Sequence, residues 1–232
     1  MRQNLLQSTF KKANRKYQEH DYAKAETLLL KCLDAKFRES DCLNNLANTY
    51  CQSYLLSIHR YCVGETSTHQ EIGEHKKAFK LYERAIELNP NHINANFNLG
   101  RHLLLRPNHE DKKKAMKYLK VGVLLSPKDS ITHYHLARCK EAMMDDDGAI
   151  EEYTLAIQLD SSKAEYLLDR ASLYEVIGQR EQVRIDLDTA ISLFPEMDAP
   201  YLERGKMKLE DGNLTGALID FSKGLAINSE SW

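Results

Sequence analysis

Small residues return at fixed intervals along this chain, each inside a stretch where large apolar side chains recur three and four positions apart. One column of them is Ala13, Ala47, Gly100, Ala137, Ala171 and Gly205. A second is Ala25, Ala78, Ala115, Ala149, Val183 and Ala217, and a third is Cys32, Ala85, Gly122, Ala156, Ala190 and Gly224. Successive intervals in the second column are 53, 37, 34, 34 and 34 residues. Apolar spacing of three and four predicts amphipathic helices, and small residues let two helix backbones approach. Pro90, Pro127 and Pro195 cannot continue a helix and so close units. The pattern predicts six helical hairpins at about residues 6–39, 40–92, 93–129, 130–163, 164–197 and 198–231. Such a hairpin cannot bury its own apolar face, so the six are expected to stack as one domain.

The residues around the small columns carry a resemblance. Leu46, Ala47 and Tyr50, then Leu99 with Gly100, Leu136 with Ala137, and Ala171 with Tyr174 follow one first-helix pattern, with Arg170 in a slot usually held by Leu. In the second helices Ala78 pairs with Tyr82, Ala149 with Tyr153 and Ala217 with Phe221. With the 34-residue period, the chain resembles the tetratricopeptide repeat family over nearly its whole length. The resemblance implies an all-α, right-handed α-solenoid of six helix-turn-helix repeats. It also implies a non-catalytic adaptor or scaffold that holds an extended or helical segment of another protein in a concave groove.

In that family the first helix of each repeat lines the inner wall. Register then aims Asn14, Asn45, Asn48, Asn94 and Asn98 at one channel, followed by Arg101, His135 and Arg138. Asn both donates and accepts hydrogen bonds and is a poor helix former, so five on inner faces call for an account. They resemble the asparagine ladder with which some members hold a peptide backbone. Further along, Glu165, Asp169, Glu175 and Glu203 would favour basic side chains. The carboxylate clamp of chaperone-binding members is not expected. Asn14 and Asn45 fit it, but Phe10, Asn94 and Asn98 stand where its cations belong, and a terminal carboxylate there lacks charge partners.

Two repeats depart from the period. Repeat two has 19 extra residues, all between Ala47 and Ala78. Tyr54, Leu55, Ile58 and Tyr61 are expected to extend its first helix, with Leu56, Ile58 and Tyr61 forming an apolar lip. Gly64 and residues 65–70 then mark a loop, and Gly73 is expected to precede the second helix. Repeat three has three extra residues; Pro107 and Asn108 break its first helix, and Lys112, Lys113 and Lys114 are expected to open the second, against the helix dipole. No polar capping helix follows the last hairpin before Trp232, which makes that end a candidate contact surface. The lip and this end suit an alternative, a structural subunit of a larger multiprotein assembly.

Composition narrows the classes. At 232 residues and 42% hydrophobic the chain can bury a substantial core. No run approaches the eighteen or so apolar residues of a membrane helix, and the start lacks an apolar signal core. Five cysteines, an odd number, point to a reducing, cytoplasmic setting. The net charge of −2 divides unevenly: residues 1–129 hold 22 Lys and Arg against 14 Asp and Glu, while residues 130–232 hold 10 against 20. Nucleic-acid binding through the basic half ranks below protein binding, since no row of exposed aromatics accompanies the lysines. His133, His135 and Cys139, and likewise His59 and Cys62, lack the paired spacing of a zinc site, so no metal or cofactor is expected. No phosphate loop or nucleophile motif is present, and Asp145, Asp146 and Asp147 read as a helix cap. An enzyme is not expected.

Overall fold

The computed structural model describes residues 2–62 and 69–229, with side chains described outside 53–62, 69–75 and 229. The described residues form α1 (Arg2–Gln18), α2 (Tyr22–Asp34), α3 (Glu39–Cys62), α4 (His69–Leu88), α5 (Ile93–Leu104) and α6 (His109–Leu125). They continue as α7 (Ser130–Glu141), α8 (Asp146–Leu159), α9 (Ala164–Val176), α10 (Arg180–Leu193), α11 (Asp198–Glu210) and α12 (Leu214–Ser229). No strand occurs among them. Each odd-numbered helix packs on the even-numbered one after it, as an α-solenoid of helical hairpins requires. Residues 1–127 and 128–232 form two compact units. Within them α2 packs on α3, α4 on α5, α8 on α9 and α10 on α11.

The small columns sit where the helices of a hairpin cross. Ala13, Ala47, Ala137, Ala25, Ala78 and Ala149 are fully buried. A Cβ on Gly100 would lie 2.7 Å from Leu119 Cγ, and one on Gly205 would lie 2.6 Å from Phe221 Cε1. The large side chain four positions after each second-column residue fills the space this creates, as Tyr82, Leu119, Tyr153 and Leu187 do, all 2% exposed or less. Burying a side chain of this size contributes about 1.5–3 kcal/mol.

The turn inside a hairpin is also periodic. His20, Met144, Gly178 and Gly212, each seven residues beyond the first small column, take positive φ, which ends the helix in the left-handed manner. The next residue caps the following helix: Asp21, Asp145 and Asn213 accept from the amides of Lys24, Gly148 and Gly216. Gln179 occupies the same place without a side-chain cap.

Two sequence expectations are corrected. Gly73 does not precede the second helix of repeat two, because α4 already begins at His69; one helical Gly costs only about 1 kcal/mol against Ala, which a long helix absorbs. Nor do the three lysines open α6. Asn108 caps that helix through the Asp111 amide at 2.7 Å, and Glu110 and Asp111 occupy its first turn. Lys113 pairs with Glu110 at 3.2 Å, so the dipole conflict disappears. The side chains of Tyr54, Leu55, Leu56, Ile58 and Tyr61, together with Gly64 and Trp232, lie outside the described residues.

Candidate functional site

In residues 1–127 the expected asparagines come from α1, α3 and α5, and three of them join through a fourth that sequence register did not pick out. Asn45 Nδ2 donates to Asn14 Oδ1 at 2.9 Å, Asn44 Nδ2 to Asn45 Oδ1 at 3.0 Å, and Asn98 Nδ2 to Asn44 Oδ1 at 3.1 Å. Asn44 is 2% exposed and is the link between α3 and α5. A buried amide is tolerated only when satisfied, and the relay satisfies it. Asn48 accepts from the buried Tyr82 hydroxyl at 2.5 Å. Asn14, Asn45, Asn48 and Asn94 line one groove of about 400 Å³ with Phe10 and Tyr17. Asn44, Asn45 and Asn98 have each used one N–H, while Asn14 only accepts, so the wall is an ordered row with donors still to offer.

Arg101 lies one turn beyond Asn98 on α5 and outside that groove's lining. Its guanidinium stands 5.8 Å from the Phe97 ring, and Nη2 is 3.4 Å from His102 Nε2. Its buried Nε has no hydrogen-bond partner among the described residues.

In residues 128–232 the expected groove residues divide. Asp169 is engaged at home: the Tyr134 hydroxyl donates to it at 2.8 Å and Arg138 Nε lies 3.8 Å away. His135 is half-buried with its ring edge on Tyr134, and Glu165 is exposed. Glu203 pairs with Lys206 at 2.7 Å and lines a separate groove of about 470 Å³ between α9, α10 and α11. Burial, followed by the bond to Asp169, pushes the Tyr134 hydroxyl well above its ordinary value.

Arg170, the anomaly of the sequence, is explained here. Its Nε and Nη2 fork onto Asp186 at 2.9 and 2.6 Å while Nη1 donates to Thr154 at 2.7 Å. One period later Arg204 repeats the device, forking onto Asp220 at 2.8 and 2.7 Å and reaching Asp188 at 2.6 Å. Each arginine therefore ties a first helix to its own second helix and to that of the preceding repeat. Sequence reading missed the network, although its signal was present: Arg and Asp recur together at the 34-residue period. Burial pushes the Asp220 carboxyl up, but hydrogen bonds from Arg204 and Lys208 outweigh it and hold the group below the ordinary carboxylate value.

Of the groups singled out for chemistry, the side chains of His59 and Cys62 lie outside the described residues, and His133 is otherwise engaged. His133 Nδ1 lies 2.7 Å from Glu152, which also takes Lys140 Nζ at 2.9 Å. No group of three or more His, Cys, Asp and Glu poised for a metal occurs among the described residues. Burial pushes the Cys42 thiol up to about 12 and the Cys51 thiol up to about 11, which suppresses thiolate nucleophilicity. No helix among the described residues is long and apolar enough to cross a membrane.

A family model described as tetratricopeptide repeat matches residues 67–92. Tetratricopeptide repeat protein 6 of Homo sapiens is 26% identical over 172 residues, 73% of this chain and 32% of that protein. This chain is a tetratricopeptide repeat protein. A 94-residue stretch of the chain is also similar to an SGT1 homolog of Oryza sativa subsp. japonica, at 32% identity, covering 39% of this chain and 26% of that protein. The chain thus spans about a third or less of the length of these relatives. Among solved structures, the type IV pilus biogenesis factor PilW aligns over 93% of this chain and 90% of its own, at a TM-score of 0.71 and 15% identity. YrrB, described as a tetratricopeptide protein with an unusual peptide-binding site, aligns over 86% and 91%, at 0.63 and 14%. At such identities the structures speak for the tetratricopeptide fold alone. Proteins of this family mediate protein–protein interaction and scaffolding.

Proposed function

We propose that this chain is a non-catalytic, cytoplasmic adaptor that holds an extended segment of a partner protein along the first-helix wall of residues 1–127. The observation that carries the reading is the relay Asn14–Asn45–Asn44–Asn98, whose side chains are fixed by one another rather than by solvent. A row of pre-ordered amides loses little entropy on gripping a peptide backbone, which presents alternating donors and acceptors. Asn94 in the same groove and Arg101 one turn on extend the wall, Arg101 offering a cation for an acidic side chain. Cys32, Cys42, Cys51 and Cys139, buried and outside any disulfide, are in keeping with a reducing compartment.

The test is capture from cell extract with wild type and two variants, Asn94→Ala and Asn45→Ala/Asn98→Ala, bound proteins being identified by mass spectrometry. The exposed Asn94 makes no side-chain hydrogen bond among the described residues, so its variant probes binding without disturbing the fold. The double variant breaks relay bonds and carries a stability control, at about 1 kcal/mol per bond. Partners lost in both variants support the wall; partners retained in both move the contact elsewhere.

A second reading, a structural subunit of a larger assembly, is favoured by α12. Leu214, Leu218, Ile219 and Leu225 are 63–67% exposed on that helix, and an apolar patch of this kind marks a contact surface. Partners lost in Leu218→Glu but kept in Asn94→Ala would decide for it.

A further inference from the structure

The two grooves between successive repeats of residues 128–232 are built on one plan and differ in what fills them. Between α7, α8 and α9 the chain fills the groove itself. The Tyr134 ring stacks on Tyr166 with centroids 4.7 Å apart and its hydroxyl bonds Asp169, while Arg138 lies over the Tyr134 ring at 5.7 Å and beside the same carboxylate. Tyr153 closes the floor and bonds Glu141 at 2.8 Å.

One period on, between α9, α10 and α11, each filler is replaced by something smaller. Leu168 stands for Tyr134, Leu187 for Tyr153, Ser172 for Arg138 and Ala199 for Glu165. The result is an open groove of about 470 Å³ whose floor is Leu168, Ala171, Val183, Leu187 and Met207. The acceptors remain, since Glu203 occupies the place of Asp169 and Glu175 that of Glu141. The nearby cations are committed. Lys206 pairs with Glu203, and Arg180 is held by Glu210, Asp211 and the Met207 carbonyl. Glu175 takes part in no ion pair among the described residues, and residues 128–232 as a whole hold 11 Lys and Arg against 21 Asp and Glu. The site therefore keeps the acidic rim of its neighbour while lacking the ring and the guanidinium that satisfy it.

We infer that the α9–α10–α11 groove binds a partner segment carrying an aromatic side chain with an arginine beside it, which supplies the ring and the cation that Tyr134 and Arg138 supply one repeat earlier. The ring lies on the Val183–Leu187 floor and the guanidinium meets Glu203 and Glu175. Burial of a ring and a charge-assisted bond give such a segment its selectivity. This site uses only residues of the second unit. It does not depend on the asparagine wall, so failure of the Asn variants leaves it standing.

The probe is the capped peptide acetyl-Gly-Arg-Tyr-Arg-Gly-amide, titrated into the full chain carrying ¹³C-methyl methionine. The Met207 signal, assigned by its loss in Met207→Leu, is the readout. A saturable Met207 shift is expected, with none from the peptide bearing Glu in place of both Arg. Leu168→Tyr/Ser172→Arg, which installs the fillers of the closed groove, is expected to raise the dissociation constant at least about tenfold. Glu175→Gln/Glu203→Gln is expected to weaken binding and flatten its salt dependence. It leaves the floor intact and decides alone if the filled variant loses its helical circular dichroism. The same experiment on Asn45→Ala/Asn98→Ala is expected to leave the Met207 shift unchanged. The proposal is overturned by no saturable shift in the wild type, by equal binding of the acidic peptide, or by undiminished binding in the Gln variant.

Discussion

The two units bury polar side chains between their helices in opposite ways. In residues 1–127 the first helices are joined by neutral amides, and Asn44 at 2% exposure is satisfied by Asn45 and Asn98. Residues 128–232 use ions, with Asp186 and Asp220 also at 2% exposure and each gripped by a forked arginine. An amide carries a donor and an acceptor, so a row of them is open at both ends and can pass a hydrogen bond on to a ligand. A guanidinium–carboxylate fork closes on itself and has little left to offer. The same hairpin frame thus yields a polar wall of linked amides in one unit. In the other it yields an ion-bolted stack, beside an apolar groove with an acidic rim.

The largest expected effect tests the ion-bolted side. Arg170→Leu restores the residue the repeat pattern prefers at that slot, and on pattern alone it should stabilise. It leaves the Asp186 carboxylate buried without its cation, so a loss of about 3–5 kcal/mol in urea unfolding is expected. Arg170→Leu/Asp186→Leu removes both charges and is expected to recover most of that loss. If the single variant is as stable as the wild type, the fork contributes no stability and the contrast between the units loses its energetic content.

A smaller effect is the response to acid. The folded-state pKa of Asp220 is depressed, so its contribution to stability is fully present above the unfolded carboxylate value of 3.8. That contribution is lost as pH falls below this value and through the lower folded one. Asp220→Asn is expected to be less stable at neutral pH by about 1–3 kcal/mol and to lose less stability between pH 4 and 2 than the wild type. The asparagine relay has no titrating group, and Asn44→Ala is expected to leave the acid response of the wild type unchanged. Parallel pH profiles for wild type and Asp220→Asn would remove Asp220 from the account.

Much of the fold was legible because the 34-residue period is a packing constraint. Ala13, Ala137 and Gly205 recur where two backbones meet, and nothing larger fits. Register anticipated four of five asparagines on one groove wall, Asn14, Asn45, Asn48 and Asn94, whereas Asn98 joins the row through Asn44 and is not in that lining. Their mutual bonding was not legible, because Asn44 has no place in an inner-wall register and acquires one only through tertiary contact. Asp169 read as a free acid because sequence shows a residue's helix face but not the hydroxyl of Tyr134 that reaches it from 35 residues away. The open α9–α10–α11 groove was hidden for the opposite reason. It is made by absences, Ser172 and Ala199 among them, and small residues on an inner face look ordinary until their larger counterparts are seen filling the neighbouring site.

The smallest expected effect concerns the turn that both units share. Met144 has φ 63° where Gly178 and Gly212 have 76°, and it is 87% exposed. A side chain in the left-handed region costs roughly 1–2 kcal/mol, and the extra freedom of glycine in the unfolded chain offsets about 0.5–1 kcal/mol of the gain from relieving it. Met144→Gly is therefore expected to stabilise by about 0.5–1 kcal/mol in urea unfolding. Gly178→Ala, in a turn where an added Cβ meets nothing within 4 Å, is expected to destabilise by a similar amount through backbone strain alone. The pair separates the turn residue from the helix cap beside it, because Asp145 caps α8 while Gln179 leaves α10 uncapped. Should Met144→Gly prove neutral while Gly178→Ala costs stability, the Asp145 cap is what holds Met144 in its conformation, and capping rather than the turn residue sets the stability of these hairpins.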